Sequence, residues 1–191
     1  MKRLFKKHAR SVRLVLLHNP LNFHRQAMGA AMASLEVLSQ KGLGTKFWAF
    51  HDTLHEHRQE LTPDKLVAWA VKIAGANGTR VRAAITSMKY LSRVSATMTW
   101  ARSFGVRGVP AFFVNGRYYS GARPYDELDA ILKAARKEAS LAIKLNKTTR
   151  KNVYSYLVGS GETKVVWKME EIKKRRQRPR LDTSKTLPCC H

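Results

Sequence analysis

The chain has 191 residues, 44% of them hydrophobic, which suffices for one sizeable core with an appendage and excludes a wholly disordered polymer. Lys and Arg number 36 against 13 Asp and Glu, a formal net charge of +23, so the partners this surface attracts are anionic. No apolar run reaches transmembrane length, and two neighbouring cysteines at the extreme C-terminus, Cys189 and Cys190, cannot staple anything upstream of them.

The charge is concentrated at the ends. Residues 1–13 carry six basic side chains and no acid, and residues 139–191 carry thirteen basic against four acidic. Arg13 interrupts the only apolar stretch near the N-terminus that a signal peptide would use, which places the chain as written in the cytoplasm. A bond between adjacent cysteines closes a strained small ring, so Cys189 and Cys190 read as free thiols or as links to another chain.

In chain order, "KRLFKKHA" reads as the last turns of a helix with Leu4 and Phe5 turned inward. "VRLVLLH", residues 12–18, is β-branched and Leu-rich and ends at Asn19-Pro20, which predicts a buried strand. From about 24 to 104 the patterns are helical. Met28, Met32 and Leu35 fall on one face of the first helix, and Phe47, Phe50 and Leu54 on one face of the second. Thr62-Pro63-Asp64 is a helix start with an N-cap, a proline in the first turn and an acid at the positive end of the dipole; Leu66, Ala70 and Ile73 then face inward up to Gly75. A last helix is expected from about Thr79 to Phe104, with Val81, Ile85, Met88, Val94 and Met98 inward and one wider step between Met88 and Val94. Trp48, Trp69 and Trp100 sit on helices at positions suited to packing.

"FGVRGVPAFFVNGRYYSG", residues 104–121, predicts a β-hairpin. Asn115-Gly116 supplies the two positive φ angles of a type I′ turn, and strand-favouring Phe112, Phe113, Val114, Tyr118 and Tyr119 flank it. Pro110 leads directly into the first strand; an X-Pro bond in isolation is mostly trans, with cis as the minority form. Pro124 opens a further helix with Leu128, Ile131 and Leu132 inward, and a domain spanning residues 1–138 is expected to end there. The remainder, 139–191, reads as a basic extension with one short helix around Val153, Tyr154 and Leu157 and then a solvated, largely disordered tail.

The order of strand, helical block, proline-led hairpin and helix is that of a thioredoxin fold carrying a helical insertion. From about Leu14 to Ala139 the sequence resembles the DsbA-like family of thiol-disulfide oxidoreductases, through "NPLNFHRQAM", "KFWAFHDTLHEH" and "FGVRGVPAFFVNGR". The resemblance implies an α/β, thioredoxin-like domain with an inserted helical subdomain at about 24–104, lacking the first strand and the start of the first helix. It also implies a cis Val109-Pro110 bond, with Val109 and Pro110 as the substrate-binding residues at the edge of a groove. Extended or unfolded polypeptides would be the partners, bonded through the Val109 backbone. The family's Cys-x-x-C at a helix N-terminus is absent from these residues, and adjacent Cys189-Cys190 lack the spacing to replace it. No catalytic residue is therefore assigned and no cofactor is expected. The missing strand would lie centrally, leaving the 12–18 segment and the hairpin unpaired or forced to pair with each other. A full-length family member would belong in the periplasm or cell envelope.

Two further classes stand beside an oxidoreductase lineage without its redox pair. One is a non-catalytic peptide-binding module. The other is a basic protein whose partner is nucleic acid or another polyanion, through "KKRRQRPR", although a run of like charge is more often only a solvated tail. His51 and His55, four apart with Asp52 between, have the spacing of a metal pair but no third ligand; they read as surface and packing residues, with no metal site.

Overall fold

The structure is a computed structural model and describes residues 2–159. Its elements follow the chain as α1 (Lys2–His8), α2 (Ala27–Ser39), α3 (Phe47–Glu56), α4 (Pro63–Trp69), α5 (Gly78–Thr86), α6 (Leu91–Ser103), β1 (Ala111–Val114), β2 (Arg117–Ser120), α7 (Tyr125–Lys144) and α8 (Val153–Gly159). A π-helical turn, Ala70–Ala74, prolongs α4 up to Gly75, whose left-handed φ of 70° ends it. The chain divides into two units: Leu17–Thr99, and the described residues up to Leu16 together with those from Trp100 onward. The architecture is that of a thioredoxin-like fold bearing an inserted helical subdomain, with a sheet of two strands among the described residues.

The helical unit is built as the apolar spacing dictates. Val37 of α2, Phe50 and Leu54 of α3, Leu66 and Ala70, and Val81 of α5 are buried in one cluster. Met32 and Leu35 pack with Val94 and Met98 in a second, with Met28 against it. Thr62 caps α4 by accepting from the Lys65 N–H, and Asn77 caps α5 by accepting from the Arg80 N–H. Trp69 packs on the first cluster, whereas Trp48 is more than a third exposed and packs edge-on against Phe47 and His51.

Gly29 lies inside α2, and a methyl group there would meet Leu66 Cδ1 at 3.7 Å and Ile85 Cγ2 at 3.8 Å, ordinary contact distances. Gly29→Ala therefore removes the entropic cost of a glycine in the first turn of α2 without a clash. It is expected to raise the unfolding free energy by about 0.5–1 kcal/mol, measurable as a shifted urea midpoint at unchanged slope.

The single helix expected over 79–104 is two. Met88 turns left-handed at φ 51°, Lys89 N–H reaches back to the Ala84 carbonyl, and α6 starts at Leu91. The wider apolar step between Met88 and Val94 marks this break. Its physical cause lies on α2, where the buried Glu36 carboxylate is held by Lys89 and Tyr90 from the turn itself. Continuous helix would carry those two side chains elsewhere.

In the other unit the hairpin has the expected register, Ala111↔Ser120 through Val114↔Arg117, with Asn115 and Gly116 at φ 46° and 82° closing a two-residue turn. α1 buries Leu4, and α7 buries Leu128 while Ile131 and Leu132 are half-buried. α7 runs on past Glu138 to Lys144, and α8, which holds Val153, Tyr154 and Leu157, packs on it.

The expected strand over 12–18 does not form. These residues have no ladder partner among the described residues, β1 pairs only with β2, and Leu14 and Val15 are 38% and 53% exposed instead of buried. β-propensity expresses a fit to a paired, half-buried surface, and without a neighbouring strand it has nothing to fit. The same absence leaves the second edge of β1 without a strand among the described residues.

Candidate functional site

The loop ahead of β1 is set by the end of α6. Phe104 and Val106 are buried, Gly105 turns left-handed at φ 70°, and the Gly105 and Val106 N–H groups bond the carbonyls of Arg102 and Ala101 at 2.8 and 3.0 Å. This is glycine-terminated helix capping, in which the αL residue returns the chain onto the last turn. Beyond it Arg107 is exposed, Gly108 is half-buried, and Val109 and Pro110 emerge, joined by a cis peptide bond.

Pro110 is tied into the hairpin, its carbonyl accepting from the Gly121 N–H at 3.0 Å and so extending the β1–β2 ladder by one rung. Val109 is not. It is 52% exposed, and no backbone group among the described residues bonds its N–H or its carbonyl. The two residues foreseen as substrate-binding are thus adjacent in different states, one engaged in the sheet and one exposed, with no backbone partner for its N–H or carbonyl among the described residues.

An aromatic cluster holds this arrangement from within its unit. Trp100 lies 4.8 Å from Phe104 and 5.4 Å from Phe113, ring centre to ring centre, and Phe113 contacts Tyr118 across the strand pair at 5.1 Å. These contacts fix the end of α6 to β1, which is what positions the intervening loop. The Trp100 Nε1–H is buried with no acceptor among the described residues.

Two ionic clusters were not foreseen from the sequence. In the helical unit, Glu36 is fully buried, with Lys89 Nζ and the Tyr90 hydroxyl each 2.8 Å from Oε2, and Arg80 2.8 Å and Gln40 3.3 Å from Oε1. Burial pushes this carboxyl up, but the hydrogen bonds from Lys89, Tyr90 and Gln40 outweigh it and hold the group below the usual carboxylate range. In the other unit, Asp129 of α7 receives Lys133 Nζ at 2.7 Å, His8 Nε2 at 2.7 Å and Lys7 Nζ at 2.9 Å, which together hold its carboxyl far below the usual range. Arg3 stacks on the Tyr125 ring beside it. Both clusters tie helices together. Glu36 carried a signal in the sequence, a lone acid within the apolar run from Ala27 to Leu38; Asp129, close behind Asp126 and Glu127 at the start of α7, carried none.

The histidines are brought together without forming a metal centre. The His51 and His55 rings meet at 4.5 Å, tilted by 54°, and His51 Nδ1 is buried 3.6 Å from Asp52 Oδ1, too far for a hydrogen bond. Burial, with the charges of His51 and Arg93, pushes His18 down to about 4, and burial with His55 lowers His51. Among the described residues no group of three or more His, Cys, Asp or Glu side chains could hold a metal ion. Cys189, Cys190 and "KKRRQRPR" lie outside the described residues, and the 191-residue sequence contains no Cys-x-x-C.

A family model for the DSBA-like thioredoxin domain matches residues 3–133. The chain is similar to the Na(+)/H(+) antiporter NhaA 3 of Salinispora tropica, 33% identical over 132 residues, which is 69% of this chain and 20% of that protein. It is also similar to the Na(+)/H(+) antiporter NhaA 1 of Salinispora arenicola, 32% identical over 126 residues, 65% of this chain and 19% of that protein. A third relative, the Na(+)/H(+) antiporter NhaA of Nitrosospira multiformis, is 29% identical over 115 residues, 60% of this chain and 18% of its own. The chain spans about a fifth of the length of these relatives. No solved structure matches it.

Proposed function

The chain belongs to the DSBA-like thioredoxin domain family, and from that membership we propose that it binds extended polypeptide at Val109, beside Pro110, without carrying out dithiol exchange through its own residues. The observation that supports this is the exposed Val109, whose backbone N–H and carbonyl have no backbone partner among the described residues while the next carbonyl is taken up by Gly121. An extended segment laid along the loop would exchange backbone hydrogen bonds with Val109, as a strand does when it adds to a sheet edge. Such capture needs no thiol. Exchange needs an attacking thiolate and a second sulfur to resolve the mixed disulfide, and the sequence supplies only the adjacent Cys189 and Cys190.

The antiport that names the relatives is not carried over. The match covers about a fifth of each, and among the described residues no helix is long and apolar enough to cross a membrane.

The test uses a fluorescently labelled, cysteine-free unfolded polypeptide as ligand. Val109→Pro removes the backbone donor from an exposed position and is expected to weaken binding by about fivefold or more, the worth of a hydrogen bond of roughly 1 kcal/mol, with the unfolding midpoint little changed. Unchanged affinity in a folded Val109→Pro protein sinks the reading of this loop. In parallel, insulin reduction by the intact chain is expected to match that of a Cys189→Ser, Cys190→Ser variant; turnover abolished by those changes would make the C-terminus a redox site.

A further inference from the structure

The outer face of α7 is built against the rule for a solvent-facing helix. Ala130, Ala134, Lys137, Leu141 and Lys144 recur at steps of four and three, with Leu145 four beyond Leu141, a single stripe along the helix, and all six are exposed. The opposite side carries buried Leu128 and Ala142 and half-buried Ile131, Leu132 and Ala135, so the stripe is not the core face displaced. At its C-terminal end Leu141 is 53% and Leu145 55% exposed. α8, packed on α7, adds exposed Tyr154 and Tyr156.

Charge accompanies these apolar groups along the chain. Lys137, Lys144, Lys147, Arg150 and Lys151 are all exposed between residues 137 and 151, and none of them pairs with a carboxylate among the described residues. The one acid in that span, Glu138, is engaged by Arg117 at 3.0 Å. Most other cations with a nearby acid in this unit are paired, as Arg117 and Lys133 are. The pattern is thus exposed leucines and tyrosines flanked by uncompensated lysines and arginine, at one end of one helix and in the segment that follows it.

We propose that this face of α7, with Leu141 and Leu145 at its centre, docks the protein on the surface of an anionic phospholipid bilayer. The chemistry matches on both counts. Anionic headgroups complement the free cations, each worth about fivefold in binding near such a surface, and the leucines enter the headgroup–acyl boundary where apolar bodies with polar surroundings are stable. A second copy of the chain is disfavoured at this face by like charge, since the whole chain carries +23. Nucleic acid would answer the cations but gains nothing from two exposed leucines on a helix, because aliphatic side chains neither neutralise phosphate nor stack on bases. The surface is separate from Val109 and makes no use of the polypeptide-binding reading.

The experiment is co-sedimentation of the full 191-residue protein with vesicles of phosphatidylcholine alone and of phosphatidylcholine with about one third phosphatidylglycerol, at physiological salt. Binding is expected to the anionic vesicles only. Leu141→Gln with Leu145→Gln leaves every charge in place and is expected to lower partitioning by about tenfold, whereas Leu141→Phe with Leu145→Phe is expected to raise it. Lys144→Gln with Lys147→Gln is expected to lower it by about 25-fold, from two lost cations. Far-UV circular dichroism confirms the fold; the leucines are exposed, and the two oppositely directed leucine variants cannot both be explained by misfolding. If the glutamine pair binds anionic vesicles as the parent does, the basic C-terminal residues suffice and the proposal is wrong. Equal loss of binding by that pair to a DNA duplex and to vesicles would assign the face to nucleic acid and overturn it as well.

Discussion

Glu36→Ala is expected to lower the unfolding free energy by about 2–3 kcal/mol, from the charge-assisted hydrogen bonds lost and the buried site left vacant. The side chain is fully buried in α2 and its two oxygens take four partners, from Lys89 and Tyr90 on one side and Arg80 and Gln40 on the other. Gln40 passes the network on, its Oε1 accepting from the Asn77 N–H at the start of α5 at 2.8 Å. Removing the carboxylate therefore releases the 87–90 turn, the N-terminus of α5 and the C-terminal end of α2 together. The cations are about half exposed and can rehydrate, so the cost arises from the vacated site and the loosened turn more than from stranded charge. Glu36→Gln keeps the volume and part of the bonding and is expected to lose less than the alanine variant. Removing both cations with Arg80→Met and Lys89→Met leaves a buried carboxylate held by neutral donors alone, which should cost at least as much as Glu36→Ala. Urea unfolding followed by far-UV circular dichroism reads all three; a Glu36→Ala loss under about 1 kcal/mol would show the network to be ornamental.

What the sequence declares of this fold, and what it withholds, follows a physical pattern. Helices whose apolar positions recur along one face declare themselves, as Phe47, Phe50 and Leu54 do in α3, and so do features fixed by local chemistry: the Thr62 cap, and Asn115-Gly116 in a two-residue turn. The family-bearing segments around Pro110 are legible because they combine such local chemistry with order along the chain. What escapes depends on a distant partner. Residues 12–18 carry every local mark of a strand and form none, since pairing is a property of two segments. The break at Met88 is written in the apolar spacing, yet its reason sits on Glu36, some fifty residues earlier in the chain. Of the candidate site, the residues Val109 and Pro110 are nameable from sequence; that one is locked to Gly121 while the other faces solvent is not, because it depends on where the hairpin ladder stops.

Acidification is expected to destabilise the helical unit well before its carboxylates titrate. His18 is pushed down to about 4 by burial and by the charges of His51 and Arg93, from 6.5 for the ordinary group, so between those values the unfolded chain binds a proton that the folded chain refuses. Stability is then whole above 6.5, falls as the pH drops through the window, and reaches its full loss once the pH is below the folded value. For a single group this amounts to about 2 kcal/mol between roughly pH 7.5 and pH 5, and about 3 kcal/mol by roughly pH 3.5. His51, lowered in the same direction by burial and by His55, adds to the loss, with Asp52 opposing it. The depressed Glu36 and Asp129 act in a separate window, since a carboxylate held below its ordinary value, 4.5 or 3.8 here, begins to cost stability only as the pH falls past that value. Urea midpoints of the parent chain and His18→Asn at about pH 7.5, 6 and 5 separate the contributions. The Thr97 hydroxyl bonds the His18 backbone carbonyl, not its ring, so the substitution leaves that contact intact. The asparagine variant is expected to lose most of the pH dependence above about pH 5 while the parent falls steadily. A parent protein equally stable at about pH 7.5 and pH 5 would mean that the His18 ring takes its proton in the folded state as readily as in water.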